Sequence, residues 1–285
     1  RETARGRATP GMKNPGDLKE RLARLSPAQR AALEARLRQT VPARPSAVVI
    51  PRRSADAPVP ASFSQQQLWF FEQLHPGTPT YNVPEYWQLR GPLNVPVLER
   101  SLQFLLERHE ILRTVFVSEN DRPLQRVQEA RPFSLAVTDL EAEPADGREA
   151  RARQLANEDT GTPFDLGNGP LFRVRLLRLG PEHHWLLLNA HHIITDGWSC
   201  GIIQRELAET YAALLAGRAP DLPELPLQFG DFAVWEEQWL QREVFPAQLE
   251  FWRRQLAGAP ALIQLPTDHP RPAVASPRGD YVSVS

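Results

Sequence analysis

Residues 189–199, Asn189-Ala190-His191-His192-Ile193-Ile194-Thr195-Asp196-Gly197-Trp198-Ser199, concentrate the side chains able to move a proton or hold a ligand. They stand where an apolar run, His184 to Asn189, gives way to a segment of helical spacing. A rigid strand end there would present them to a ligand. Successive side chains of a strand point to opposite faces, so the two histidines are expected to differ, one lining a cavity and one packing. Asp196 with Gly197 behind it predicts a tight loop that aims the carboxylate at an imidazole or an arginine. An imidazole, with a reference pKa of about 6.5, is largely neutral at pH 7 and can serve as a general base. A metal site would also use His and Asp, but no third and fourth ligand follows at telling spacing. A Ser-His-Asp triad lacks the Gly-x-Ser-x-Gly elbow that would carry its nucleophile. Two histidines that only pack or hydrogen-bond behind a strand are the plain alternative.

The elements around this segment alternate in period. Glu85 to Leu89 reads as a strand, and Asn94 caps a helix with Val97, Leu98, Leu102, Leu105 and Leu106 on one side. Thr114–Val117 and Leu124–Val127 flank the turn-prone Glu119-Asn120-Asp121 and predict a hairpin. Glu149–Asn157 reads as a surface helix. Leu171–Leu179 and His184–Asn189 are β-rich runs separated by Gly180-Pro181, the second apolar enough to be a buried strand. A helix is expected from about Ser199 to Leu215, and Phe232–Leu256 continues as one or two more.

The first 60 residues differ. Leu18, Leu22 and Leu25, then Ser26, Pro27, Gln29, Leu33 and Leu37, predict a small helical hairpin, and prolines 42, 45, 51, 58 and 60 an extended connector. The organisation expected is a helical docking or linker segment over 1–45, a Pro-rich linker over 46–61, and a main body from Ser62. Apolar residues make up 41% of the 285 and charged residues 24%, which excludes a wholly disordered or fibrous chain. A net charge of −1 provides no field for nucleic acid or an anionic membrane, so neither is an expected partner. No apolar stretch long enough for a bilayer and no secretion-like start is present, so a cytoplasmic location is expected. A lone Cys200 allows no intramolecular disulfide.

His191-His192-x-x-x-Asp196-Gly197 resembles the HHxxxDG signature of condensation domains in nonribosomal peptide synthetases, relatives of chloramphenicol acetyltransferase. Arg108-His109-Glu110-x-Leu112-Arg113-Thr114-x-Phe116 is similar to that family's second core motif. Ser62-x-Ser64-Gln65-x-Gln67-Leu68-Trp69 resembles the first, with Ser64 where alanine is usual and Gln67 where arginine is usual. Phe229-x-Asp231-Phe232-Ala233-Val234-Trp235 resembles the fourth, with Phe229 in place of tyrosine. The Gly197-Trp198-Ser199 ending is similar to ordinary peptide-bond-forming members rather than to heterocyclising or epimerising ones.

The resemblance implies an α/β fold: a chloramphenicol acetyltransferase-like lobe, a mixed sheet flanked by helices, preceded by the short helical segment. It implies a first lobe over 62–222 and the truncated start of a second over 223–285, where the family's later motifs are absent and Tyr281–Ser285 reads as a strand cut short. The implied reaction joins a carrier-bound acyl or peptidyl thioester to the amine of a carrier-bound aminoacyl group. No cofactor is bound directly; substrates arrive on phosphopantetheine arms of donor and acceptor carrier proteins, and residues 1–45 can dock an upstream synthetase subunit. His192 is the expected base or amine-orienting group. Asp196 is expected as an ion-pair partner that fixes the loop, with Arg113, Arg108 or an arginine of the second lobe, and Gly197 is expected to give close approach and a backbone N–H. His191 is expected to pack. Arg108, His109, Glu110 and Arg113 are expected in a polar network supporting the loop, Trp69, Trp198 and Trp235 in the core, and Cys200 inert. The alternatives are a carrier- or coenzyme A-dependent O-acyltransferase of the same fold, and a non-catalytic docking or scaffold fragment.

Overall fold

The computed structural model describes residues 49–54, 57–240, 244–263, 266–270 and 273. The chain divides into two compact units, 1–49 and 50–285, and all but one of the described residues belong to the second. The helical hairpin expected near residues 17–38 and the strand expected at Tyr281–Ser285 lie outside the described residues.

Two sheets carry the second unit. The smaller has the order β1 (Val59–Pro60), β4 (Arg122–Val127), β3 (Thr114–Glu119) and is antiparallel. The larger has the order β2 (Asn82–Arg90), β7 (His183–His191), β6 (Phe172–Gly180), β5 (Ala136–Asp139). It is mixed, because β5 pairs parallel to β6 while the other pairs are antiparallel. The β3–β4 hairpin turns at Asn120 and Asp121, both with positive φ (51° and 60°), the two-residue geometry whose twist suits a hairpin.

Helices cover both faces of the larger sheet, and strand parity decides which residue meets which. Leu186, Leu188 and Ala190 of β7 join a core with Leu98, Leu102 and Leu105 of α2 (Val95–Arg108) and with Ile203 and Leu207 of α4 (Gly197–Leu215). The alternate residues Trp185 and Leu187 pack with Ala152 and Leu155 of α3 (Arg148–Thr160). β7 is therefore buried on both faces, which explains its near-continuous apolar sequence. Asn94 caps α2 by accepting from Val97 N, as its position before the apolar run predicts. The stretch after Phe229 forms two helices, α5 (Phe229–Leu240) and α6 (Val244–Gln255).

Helix α1 (Phe63–Leu74) and strand β5 are among the elements the sequence reading does not include. Helix α1 begins at a full capping box: the Ser62 side chain accepts from Gln65 N, and the Gln65 side chain accepts from Ser62 N. The four-residue β5 is too short, and too exposed, to show a period.

Candidate functional site

β7 ends at His191, and pairing with the β2 side runs one residue further through His192 N–H donating to Tyr81 O at 2.8 Å. The strand holds the two histidines in opposite environments. His191 is 1% exposed, edge-on to Phe164 and Tyr81 at 6.2 and 6.3 Å. Its Nδ1 accepts from Ile193 N at 3.0 Å, which puts the ring proton of the neutral form on Nε2. Burial, with the charge of His192 adding to it, lowers its pKa to about 4, so at neutral pH it is an uncharged packing residue. His192 is exposed, its ring edge-on to Tyr81 at 6.3 Å.

Beyond the histidines, Asp196 caps α4. Its Oδ1 accepts from Ser199 N at 2.8 Å and from Ser199 Oγ at 2.6 Å. The Ser199 hydroxyl, then the Ser199 N–H, hold the carboxyl below the usual aspartate value. This corrects the expected ion pair within the lobe. Arg108 and Arg113 are engaged elsewhere, and among the described residues no arginine forms an ion pair with Asp196. Capping by a nearby serine satisfies a short loop carboxylate without burying charge. A Cβ built on Gly197 would meet nothing within 4 Å, so the Cα face of this residue is open.

Trp198 overturns a second expectation: it is 82% exposed rather than in the core. With α4 starting at Gly197, residue 198 falls on the face of Gly201, Arg205, Ala208 and Ala212, all exposed, while Ile203, Glu206, Leu207, Thr210 and Ala213 face inward. Trp69 is half-buried against the main core, and Trp235 is half-buried and stacked on Trp239 at 5.7 Å. Cys200 is half-buried, and burial raises its thiol pKa away from reactive thiolate.

Arg108, His109 and Glu110 do form a polar network. Arg108 Nε and His109 Nε2 both meet Glu206 Oε2, at 3.1 and 2.7 Å, tying the end of α2 to the helix that Asp196 caps. Arg53 bridges Glu110 at 2.6 Å and Asp231 at 3.0 Å. Burial acts to raise the Asp231 carboxyl; the N–H groups of Gln228 and Arg53 and the Arg53 guanidinium outweigh it and leave it below the ordinary value. Gln228 donates to Arg108 O at 3.0 Å and accepts from Glu110 N at 3.1 Å. Arg113 stands apart from this network and donates to Gln128 O. Arg53, Glu206 and Gln228 are not legible in the sequence, since isolated polar residues carry no periodic signal.

The first motif reaches the third through one side chain. Gln65, 3% exposed on α1, donates from Nε2 to Ile193 O at 2.9 Å, directly behind His192. Residues 56–285 match the family model for the Condensation domain. The chain belongs to the condensation-domain family.

Among relatives of this condensation domain, a linear gramicidin synthase chain from Brevibacillus parabrevis is 46% identical over 232 residues, 81% of this chain and 3% of the relative. The starter condensation domain of rhizomide synthetase is a solved neighbour with TM-score 0.66 and 25% identity, matched over 72% of this chain and 49% of its own. The X-domain from teicoplanin biosynthesis has TM-score 0.68 and 31% identity, over 80% of this chain and 49% of its own. The chain thus spans about half the length of these solved domains and a small fraction of the gramicidin synthase. The neighbours agree with the mixed sheet and flanking helices.

Proposed function

We propose that this chain supplies the histidine-bearing half of an amide-forming site, in which a carrier-bound acyl thioester is attacked by the amine of a carrier-bound aminoacyl group. The observation that carries the reading is the division between the histidines: His191 is buried and uncharged, while His192 stands exposed at a strand end whose backbone is pinned on both sides. A thioester is already activated, so no covalent nucleophile is needed; the site must place the amine and stabilise a tetrahedral oxyanion.

His192 is the group that accepts or orients the amine proton. Asp196 fixes the start of α4 beside it. The Gly197 N–H, in the first turn of a helix, has no intrahelical acceptor and would donate to a developing oxyanion. The phosphopantetheine arms of donor and acceptor carriers would bring the substrates; residues 1–45 would dock an upstream synthetase. The Gly197-Trp198-Ser199 ending supports a peptide-bond-forming subtype over a heterocyclising one, Gln67 leaves the subtype open, and a cytoplasmic synthetase is the setting proposed.

The test offers the full-length protein one acyl-carrier donor with matched aminoacyl- and hydroxyacyl-carrier acceptors. An amide product with the amino acceptor is expected; ester formation alone would replace the reading with O-acyl transfer.

A further inference from the structure

Gln65 makes two hydrogen bonds with one buried amide, and they serve different ends. Its Oε1 accepts from Ser62 N at 2.9 Å and completes the α1 cap. Its Nε2 donates to Ile193 O at 2.9 Å across 128 positions of sequence. Among the described residues this is the side-chain bond that reaches the backbone of residues 192–196 from another element. The remaining ties there are backbone to backbone, as at His192 N, or lie within the segment and the first turn of α4.

The far end of the clamp is rigid. Ala61 N donates to Pro123 O at 3.0 Å, Gln125 Nε2 donates to Pro60 O at 2.8 Å, and Gln66 Nε2 donates to Ala61 O at 2.9 Å, so the cap is fastened to the smaller sheet. Gln65 therefore links the smaller sheet to the carbonyl next to His192, which itself hangs on the larger sheet. The peptide before His192 is held at its N–H by Tyr81 O, the next at the Ile193 N–H by His191 Nδ1, and the one after at the Ile193 C=O by Gln65, so the backbone that carries the His192 imidazole is fastened on either side of it.

We propose that Gln65 is a positioning residue for His192, acting through the Ile193 carbonyl; the catalytic part of this role rests on the function proposed above. A carboxylate at this position keeps the acceptor for Ser62 N–H and loses the donor for Ile193 O, whereas Ser62→Ala weakens the cap and spares the clamp.

The experiment compares Gln65→Glu, Gln65→Met and Ser62→Ala in the full-length protein, reading kcat, acceptor KM, melting temperature and hydrogen exchange of the amides from His192 to Thr195. In the Gln65 variants, kcat is expected to fall on the order of ten- to a hundredfold with KM within about twofold, and the loop amides to exchange faster. Ser62→Ala is expected to lower the melting temperature while kcat and loop exchange stay near wild type. Folded Gln65 variants with unchanged kcat and loop exchange would overturn the proposal. Loss of folded protein in both Gln65 variants would also overturn it, assigning Gln65 to the fold. If the wild-type protein forms no amide, the functional reading fails by itself, and the exchange rates still decide whether the clamp holds the loop.

Discussion

Glu206 Oε2 lies 2.7 Å from His109 Nε2 and 3.1 Å from Arg108 Nε, so one carboxylate on α4 holds two consecutive residues at the end of α2. The Arg108 and Glu206 side chains are 13% and 7% exposed. Removing one member of such a pair strands the other charge away from water. Glu206→Ala is expected to cost about 3 kcal/mol or more in urea denaturation; a loss under about 1 kcal/mol would show the pair to be solvated.

The Asp196 carboxylate works as a helix cap. Asp196→Ala should lower stability by about 1 kcal/mol, and Asp196→Asn by less, because asparagine also caps. The carboxyl pKa is depressed on folding, so the stability it adds is full above the unfolded aspartate pKa and is lost as pH falls through the folded value. A loss of about 3 kcal/mol or more for Asp196→Ala in the full-length protein would instead reveal a buried ion pair.

His191 makes folding sensitive to acid. Its pKa falls from 6.5 to about 4 on burial, so between those values the unfolded chain binds a proton that the folded chain does not. Stability should be full above pH 6.5 and decline as pH drops towards about 4, with a total on the order of 3 kcal/mol. His191→Asn, followed by denaturation across that window, should flatten the slope; an unchanged slope would assign the effect to other groups.

Trp198 contributes to what the surface meets rather than to the core. Trp198→Ala should change unfolding free energy by less than about 0.5 kcal/mol. A loss near 3 kcal/mol, the scale of a buried aromatic, would contradict its exposed placement.

Much of this fold was readable because its signals are local. The apolar run before His191 announces a strand buried on both faces, and Asn94 before Val97 announces a cap. Ser62 and Gln65 also form a local signal, a capping box that is easily passed over because the residues beyond it are polar and aromatic rather than periodic. Trp198 is misplaced when a large aromatic is assigned to the core by type. The start of α4, fixed by Asp196, decides its face. Contacts such as Glu206 with Arg108, 98 positions apart, and Gln65 with Ile193 depend on how the sheets and helices stack, and no spacing rule encodes them.

The role of the His192 imidazole is read most directly from the rate of amide formation by the full-length protein carrying His192→Ala. Because the side chain is exposed, unfolding free energy should stay within about 0.5 kcal/mol of wild type. The rate of product formation should fall by roughly 10²- to 10⁴-fold, the range associated with a lost general base. A folded His192→Ala protein that forms amide at the wild-type rate would contradict the account.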